Sequence, residues 1–384
     1  MVASKLIFKG SSGCVFRPQL KCKNKTKKKN NKVTKLMFDK HNREYDFNNI
    51  LRKINNYKKW TVLWEEVCES EPYGELSKTS DIDRCLMSRY AKEDVKAISN
   101  DHSFILYQGD YGGETIEQYC IKHISNKILS DQIAFNNFFK EIFRLLKNVF
   151  YGLVQLNKYG ICHHDITIRN ILVKKKESFI IDYDISLLNN GIEQNQYLKK
   201  RMKNEYTQGR LYEAYPFEYI YYHLNSRAAI TKEQESIKSY QHLINYNELY
   251  HPINNIIYNI DTDQLRYELL QSKKPTDRRT SKQKTKTKNS TSGHTGSDTK
   301  LKKNPQSLVK LMEKLDVYSL GMMIFILLID AGNRLNVTTE CITDRFRDPG
   351  LKSYMELLKQ MIAFNYEDRI SISEAYEKYL NLIR

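Results

Sequence analysis

Between Tyr159 and Ile185 the chain reads YGICHHDITIRNILVKKKESFIIDYDI, and no other stretch limits its fold as strongly. Asp165, Asn170 and Asp182 fall in this short space, and two of them flank apolar runs that read as strands. A fold that accepts the stretch has to house those strands and leave three oxygen-bearing side chains beside them.

The chain has the material for such a fold. Its 384 residues are 40% hydrophobic, so roughly 150 apolar side chains can build one large core or two modest ones, which excludes a mini-protein and a disordered chain. The longest uninterrupted apolar run, Leu320 to Ile329, is too short to cross a hydrocarbon layer of about 30 Å. The start, MVASKLIFKG, lacks a signal peptide's hydrophobic stretch. A soluble, intracellular protein without a membrane span is expected. Seven cysteines (14, 22, 68, 85, 120, 162, 341) are odd in number, scattered and without a C-x-x-C pair. That pattern predicts reduced thiols rather than a disulfide framework or a zinc site.

The net charge of +17 would point to nucleic acid if it were spread over a folded face. It is not. Lys21 to Lys32 carries seven lysines and no acid, Lys273 to Lys303 carries eleven Lys/Arg against Asp277 and Asp298, and the two stretches hold 16 of the 17 charges. Both are poor in apolar residues and cannot offset their ordering entropy by burial, so they read as solvated loops. No aromatic residue is interleaved in either, as a stacking platform would need, so no specific nucleic-acid partner is expected. Nonspecific attraction to polyanions through these loops is.

From Leu6 to about Phe47 the pattern is strand, glycine-rich turn, strand, basic hairpin tip, strand, then a helix opening near Asp39 to Glu44. Lys59 to Cys68 and Ser103 to Gln108 read as further strands, separated by a polar insertion with short helices. After Gly112 and Gly113 the pattern turns helical. Ser130 and Asp131 can cap one segment whose apolar residues, from Phe135 to Leu153, recur at three and four. Val317 to Ile329 is apolar all round except for Ser319 and Gly321, as in a helix buried inside a larger domain. Ser371 and Glu374 form an S-x-x-E capping box that opens a last amphipathic helix.

Phosphoryl transfer from ATP to a hydroxyl needs one carboxylate to orient the acceptor and oxygen ligands to hold magnesium on the phosphates. H-x-D, then Asn five residues on, then D-x-x, supplies that set. HHDITIRN and DYD resemble the H-R-D-x-x-x-x-N catalytic loop and D-F-G turn of the eukaryotic-type protein kinase family. The resemblance continues in order along the chain. FKGSSGCV (Phe8 to Val15) is similar to the glycine-rich phosphate loop without its first Gly, and Lys35 in VTKLM stands where the family has its V-A-I-K lysine. Glu44 then matches that lysine's ion-pair partner. YPFE (Tyr215 to Glu218) resembles A-P-E, KLDVYSLG (Lys314 to Gly321) resembles the D-x-W-S-x-G helix start, and Arg369 resembles the late arginine that pairs with Glu218. The GSSGCVF and VTKLM phrases resemble divergent serine/threonine protein kinases of large DNA viruses, whose setting would be host cytoplasm or virion.

The resemblance implies an α+β, two-lobed protein kinase-like fold. A small β-rich N-lobe would span residues 1–110, with a basic hairpin loop at 21–32 and an insertion at about 69–100. A larger, mainly helical C-lobe would span 111–384, with a hinge near Gln108 to Gly113 and an insertion at about 225–312 whose basic part, 273–304, is expected from its composition to be disordered. It implies a protein substrate phosphorylated on Ser/Thr, ATP, and Mg²⁺ or Mn²⁺. The nucleotide would meet Ile7, Gly10, Ser11, Ser12, Gly13, Val15 and Lys35. Asp165 would be the catalytic base, Lys35 and the glycine flap would position the phosphates with Glu44 as the lysine's ion-pair partner, and Asn170 and Asp182 would hold the metal.

Several residues depart from the family pattern. Thr167 replaces the lysine that serine/threonine kinases place on the transferring phosphate, Leu211 stands where those kinases have that lysine's threonine partner, and Arg169 matches the tyrosine-kinase pattern. His164 replaces the arginine that clasps a phosphorylated activation loop, which predicts activity independent of phosphorylation at Tyr206 or Thr207. Asp184 replaces the glycine of D-F-G, and Phe8 the first glycine of the flap. Cys162, His163 and His164 point in alternating directions on an extended loop and make a poor metal cluster, so His163 reads as a packed core residue, as does Tyr183. Two other classes stay open: a small-molecule kinase of the aminoglycoside or choline type, and a pseudokinase scaffold.

Overall fold

The structure is a computed structural model that describes residues 3–10, 12–23, 31–38, 44–188, 196, 198, 200, 215, 305–363 and 367–384. Ser11, Tyr206, Thr207, Leu211, Glu218 and nearly all of the expected 225–312 insertion, including its basic part, lie outside the described residues. The described chain is mixed α and β, with an antiparallel sheet in its N-terminal part and helices towards its C-terminus. It divides into two compact units. The first comprises Met1–His123, Glu141–Gln155 and Asp165–Ser186; the second comprises Ile124–Lys140, Leu156–His164 and Leu187–Arg384.

In the first unit, β1 (Lys5–Lys9), β2 (Gly13–Arg17) and β3 (Lys32–Met37) lead into helix α1 (Glu44–Leu51). Then come β4 (Trp64–Glu69), the short helices α2 (Tyr73–Thr79), α3 (Ile82–Leu86) and α4 (Lys92–Lys96), and β5 (Ile105–Asp110). The five strands form one sheet in the order β1-β2-β3-β5-β4, every neighbouring pair antiparallel. Successive side chains of a strand face opposite sides, and here the two sides have different tasks. Cys14, Phe16, Leu36 and Leu106 pack beneath the cap of α2 to α4, against Leu76, Ile82, Cys85, Leu86 and Val95. Gly13, Val15, Val33 and Lys35 line a cavity instead. The polar insertion read from the sequence is therefore a helical cover for one sheet face.

The reduced-thiol expectation is corrected. Cys14 is joined to Cys85 and Cys22 to Cys68, across sequence separations of 71 and 46 residues, while Cys120, Cys162 and Cys341 are free thiols. The sheet and its cap bring together cysteines whose spacing in the chain gives no hint of pairing. Cys14 points into the capped face from β2 and meets Cys85 on α3, both fully buried.

Beyond β5 the chain forms β6 (Glu114–Thr115), α5 (Ile116–His123), α6 (Asn126–Ser130), α7 (Gln132–Leu145), α8 (Lys147–Lys158), β7 (Ile161–Cys162), β8 (Ile171–Lys174), β9 (Glu177–Ile180) and β10 (Leu187–Leu188). Strands β6, β8 and β9 make a second antiparallel sheet in the first unit. At Gly113, φ is +111° and a Cβ would lie 2.0 Å from the Val173 carbonyl oxygen, so only glycine lets β6 approach β8. The single helix expected from Phe135 to Leu153 is two, because Leu146 N–H turns back to the Phe143 carbonyl three residues earlier. Asp131, whose carboxylate accepts the Ala134 N–H at 2.7 Å, caps the first of them.

The second unit is built on α9 (Pro305–Asn333), α10 (Thr339–Arg345), α11 (Lys352–Met361) and α12 (Ile372–Ile383). Phe346 is its aromatic centre, with Phe325 at 5.2 Å and Phe135 at 5.5 Å in edge-on contact. The Ser371–Glu374 capping box is present, each residue's side chain accepting the other's backbone N–H. The helical segment Leu311–Asn333 is, by length and composition, able to cross a membrane, which the uninterrupted run Leu320 to Ile329 did not show. Its window is 89% buried within the protein, as is common for core helices.

Candidate active site

A cavity of about 550 Å³ opens in the first unit, and every residue lining it belongs to that unit. One wall is the turn between β1 and β2, where Gly10 N–H donates to the Gly13 carbonyl at 2.8 Å and Phe38 N–H donates to the Ser12 carbonyl. A Cβ on Gly13 would lie 2.1 Å from the Leu36 carbonyl oxygen, so β2 and β3 can only close this way on a glycine. Ile7, Phe8, Gly10, Ser12, Gly13, Val15 and Lys35 all line the cavity, as do Glu44, Asn170 and Asp182. Of the residues expected to meet a nucleotide, Ser11 alone falls outside the described chain.

Lys35 is the electrostatic centre. It is buried, and its Nζ lies 2.7 Å from Glu44 Oε2 and 3.0 Å from Asp182 Oδ1. Burial alone would lower the ammonium's pKa, but the Asp182 and Glu44 carboxylates outweigh it and hold Lys35 charged well above its ordinary range. Glu44 is pushed up by its own burial, against the pull of Lys35. The other oxygen, Oε1, accepts the Trp64 indole N–H at 2.7 Å.

Asn170 and Asp165 are brought together by the turn before β8. Asn170 Nδ2 donates to the Asp165 carbonyl at 2.9 Å and to its Oδ2 at 2.7 Å, and Asn170 N–H closes on the Thr167 carbonyl. Ile181 N–H donates to the Asn170 carbonyl at 3.0 Å, which ties the start of the D-Y-D turn to this loop. Asp182 itself has φ 68°, an uncommon conformation for a residue with a side chain. Tyr183 is buried, its hydroxyl donating to Thr61 Oγ1 at 3.0 Å. Asp184 is half-buried beside Asp182, and these two causes, burial first, raise its pKa to about 7. Arg169 lines the cavity and reaches Glu117 at 3.8 Å from an exposed position, a pairing of little energetic weight.

In the second unit, the Asp316 carboxylate on α9 accepts the backbone N–H of His163 at 2.7 Å and of His164 at 2.8 Å, and the Cys162 thiol at 3.6 Å. His163 is fully buried, and His164, with φ 72°, holds its ring 5.9 Å from that of Tyr215 at a tilt of 47°. Arg369 is buried in the same unit, bonded to the Ala363 and Lys314 carbonyls and lying over the Tyr318 ring.

Among the described residues no group of three or more His, Cys, Asp or Glu side chains converges as a metal site. Asn170 and Asp182 nonetheless suit a hard cation. Both line the cavity, and Asn170 turns its amide nitrogen to Asp165, which leaves its oxygen for a ligand. Two protein oxygens fit Mg²⁺, which keeps waters and substrate phosphates for the remainder of its shell.

Trp64, Asn48, Arg17 and Tyr111 were not found from the sequence. The Arg17 guanidinium lies 3.7 Å over the Tyr111 ring, and both residues line the cavity. A basic residue at a strand end and a tyrosine beyond the next glycine carry no mark of such a contact. Comparison with protein-family models and with curated proteins finds no match for this chain.

Proposed function

We propose that the chain is an ATP-dependent protein kinase with a two-lobed kinase fold, transferring the γ-phosphate to Ser/Thr hydroxyls of proteins. The observation that carries this reading is the buried Lys35 ammonium between Glu44 and Asp182, in a cavity that Gly10, Gly13 and Asn170 also line. Phosphoryl transfer is mainly positioning and charge stabilisation, and these groups supply both. The β1-β2-β3-β5-β4 sheet and the Asp316 tie to the residues before Asp165 support the kinase fold.

Lys35 would neutralise the α and β phosphates, with Glu44 fixing its direction. The Gly10 to Gly13 turn would cover the phosphates with its backbone, which carries no side-chain bulk at either glycine. Asp165, oriented by Asn170, would accept the acceptor hydroxyl's proton as its oxygen bonds the γ-phosphorus and the bond to the β,γ-bridging oxygen breaks, releasing ADP. Mg²⁺, when bound by Asn170 and Asp182, would supply charge neutralisation on the phosphates. Serine/threonine acceptors follow from the sequence resemblance.

Radiolabelled ATP turnover with Mg²⁺ or Mn²⁺ on a generic basic protein and on the chain itself tests the reading. Wild type should label serine or threonine, and Asp165→Asn should lose at least about a hundredfold. Label confined to small amino or hydroxyl compounds would replace this reading by a metabolite kinase. ATP binding without transfer would replace it by a scaffold.

A further inference from the structure

Trp64 makes three hydrogen bonds to one face of α1 and its continuation. Its indole N–H donates to Glu44 Oε1 at 2.7 Å, its backbone N–H donates to Asn48 Oδ1 at 2.8 Å, and its backbone carbonyl accepts from Arg52 Nη2. Residues 44, 48 and 52 are spaced by four, so they rise one above another along the same face. The sheet register explains how one tryptophan reaches all three. Trp64 pairs with Gly109 on β5, and the pairing slips between Trp64 and Glu66, a bulge of the kind that re-aims a side chain. A Cβ on Gly109 would come within 3.3 Å of Trp64 Cε3, so the missing side chain is what seats the ring on the cavity wall.

We propose that Trp64 is a positioning residue that holds Glu44, and through it Lys35, in the phosphate-binding arrangement. This rests on the kinase reading. Both Glu44 carboxylate oxygens are engaged, one by Lys35 and one by Trp64, and Glu44 and Asn48 are buried beneath the contact. The register of α1 is thereby set from within the fold by β4.

The test uses the full chain with ¹⁵N-labelled tryptophan and Trp64→Phe, which keeps an aromatic ring and both backbone bonds and loses the indole donor with part of the ring. The protein has two tryptophans. The Trp60 indole nitrogen is buried with no acceptor among the described residues, so it serves as an internal reference for fold and for an unbonded N–H. The Trp64 resonance should lie downfield of it, resist exchange, and move upfield in Glu44→Gln. In Trp64→Phe, with the Trp60 resonance unmoved, the Kd for ATP-Mg²⁺ should rise and kcat/KM fall by about tenfold, as for loss of one hydrogen bond to a charged group. Unchanged Kd and kcat/KM in that variant overturn the proposal and leave Trp64 as filler. If wild type binds ATP-Mg²⁺ but transfers nothing, the kinase reading fails and the Kd comparison alone decides the role of Trp64. A wild type that binds no nucleotide overturns both.

Discussion

The Asp316 carboxylate accepts the His164 backbone N–H at 2.8 Å, joining residues 152 positions apart in the chain. A second oxygen of the same carboxylate takes His163 N–H, so one buried side chain satisfies two adjacent backbone donors. His164 has φ 72°, a conformation that persists only where its surroundings hold it, and Asp165 is the next residue.

Asp316→Asn keeps the volume of that side chain but offers one acceptor to two donors and turns an NH₂ towards one of them. Stability should fall by about 1–3 kcal/mol, the range for leaving a buried donor unsatisfied. Turnover should fall at least tenfold with it. Denaturant unfolding checks the first and ATP turnover the second; a variant within about 0.5 kcal/mol of wild type would show that the tie is ornamental.

Lys35→Met removes the charge that separates Glu44 from Asp182. Breaking a buried pair by deleting one partner costs about 3–5 kcal/mol, because the remaining charge has lost its compensation. Protonation relieves a stranded carboxylate, so the loss should be larger at pH 8 than at pH 5. Binding of ATP-Mg²⁺ followed by calorimetry should weaken at least tenfold. Equal destabilisation at both pH values would contradict the electrostatic account.

Much of this was legible in the sequence because it was written in local patterns. The strand, glycine turn and strand at the start of the chain, the S-x-x-E at Ser371, and the spacing of Asp165 and Asn170 each depend on neighbours within a few residues. What could not be read depends on which strands become neighbours. Trp64 meets Glu44 because β4 pairs with β5 opposite a glycine, and Cys14 meets Cys85 because a helix folds over the sheet. The break at Leu146 escaped for the opposite reason, since the three-and-four periodicity of apolar residues runs unbroken through a single tightened turn.

The two disulfides and three thiols give a countable expectation. In native protein without reductant, one thiol should react promptly with an aromatic disulfide reagent, because Cys341 is exposed whereas Cys120 and Cys162 are buried. Burial also pushes the Cys120 thiol up to about 12, which suppresses its thiolate. Denaturation should reveal three thiols, and denaturation after reduction all seven. Cys85→Ser should lower stability by about 2–4 kcal/mol. Seven thiols in the unreduced, denatured chain would restore the reduced-cysteine reading.

Asp184 supplies a pH dependence whose sign is fixed by its surroundings. Burial, then the neighbouring Asp182 carboxylate, raises its pKa from 3.8 to about 7, so the folded chain retains a proton that the unfolded chain releases. Its contribution is fully present below pH 4 and is lost as pH rises through 7. Asp184→Asn, which carries no such proton, should therefore be more stable than wild type at pH 8 by on the order of 1–3 kcal/mol, after allowing for the partial exposure of the site. The advantage should vanish near pH 4. The comparison belongs in the absence of nucleotide and divalent metal, since a cation beside Asp182 would favour the ionised form and erase the difference. A pH-independent gain between the two proteins would mean that Asp184 is ionised throughout and that its replacement acts through packing alone.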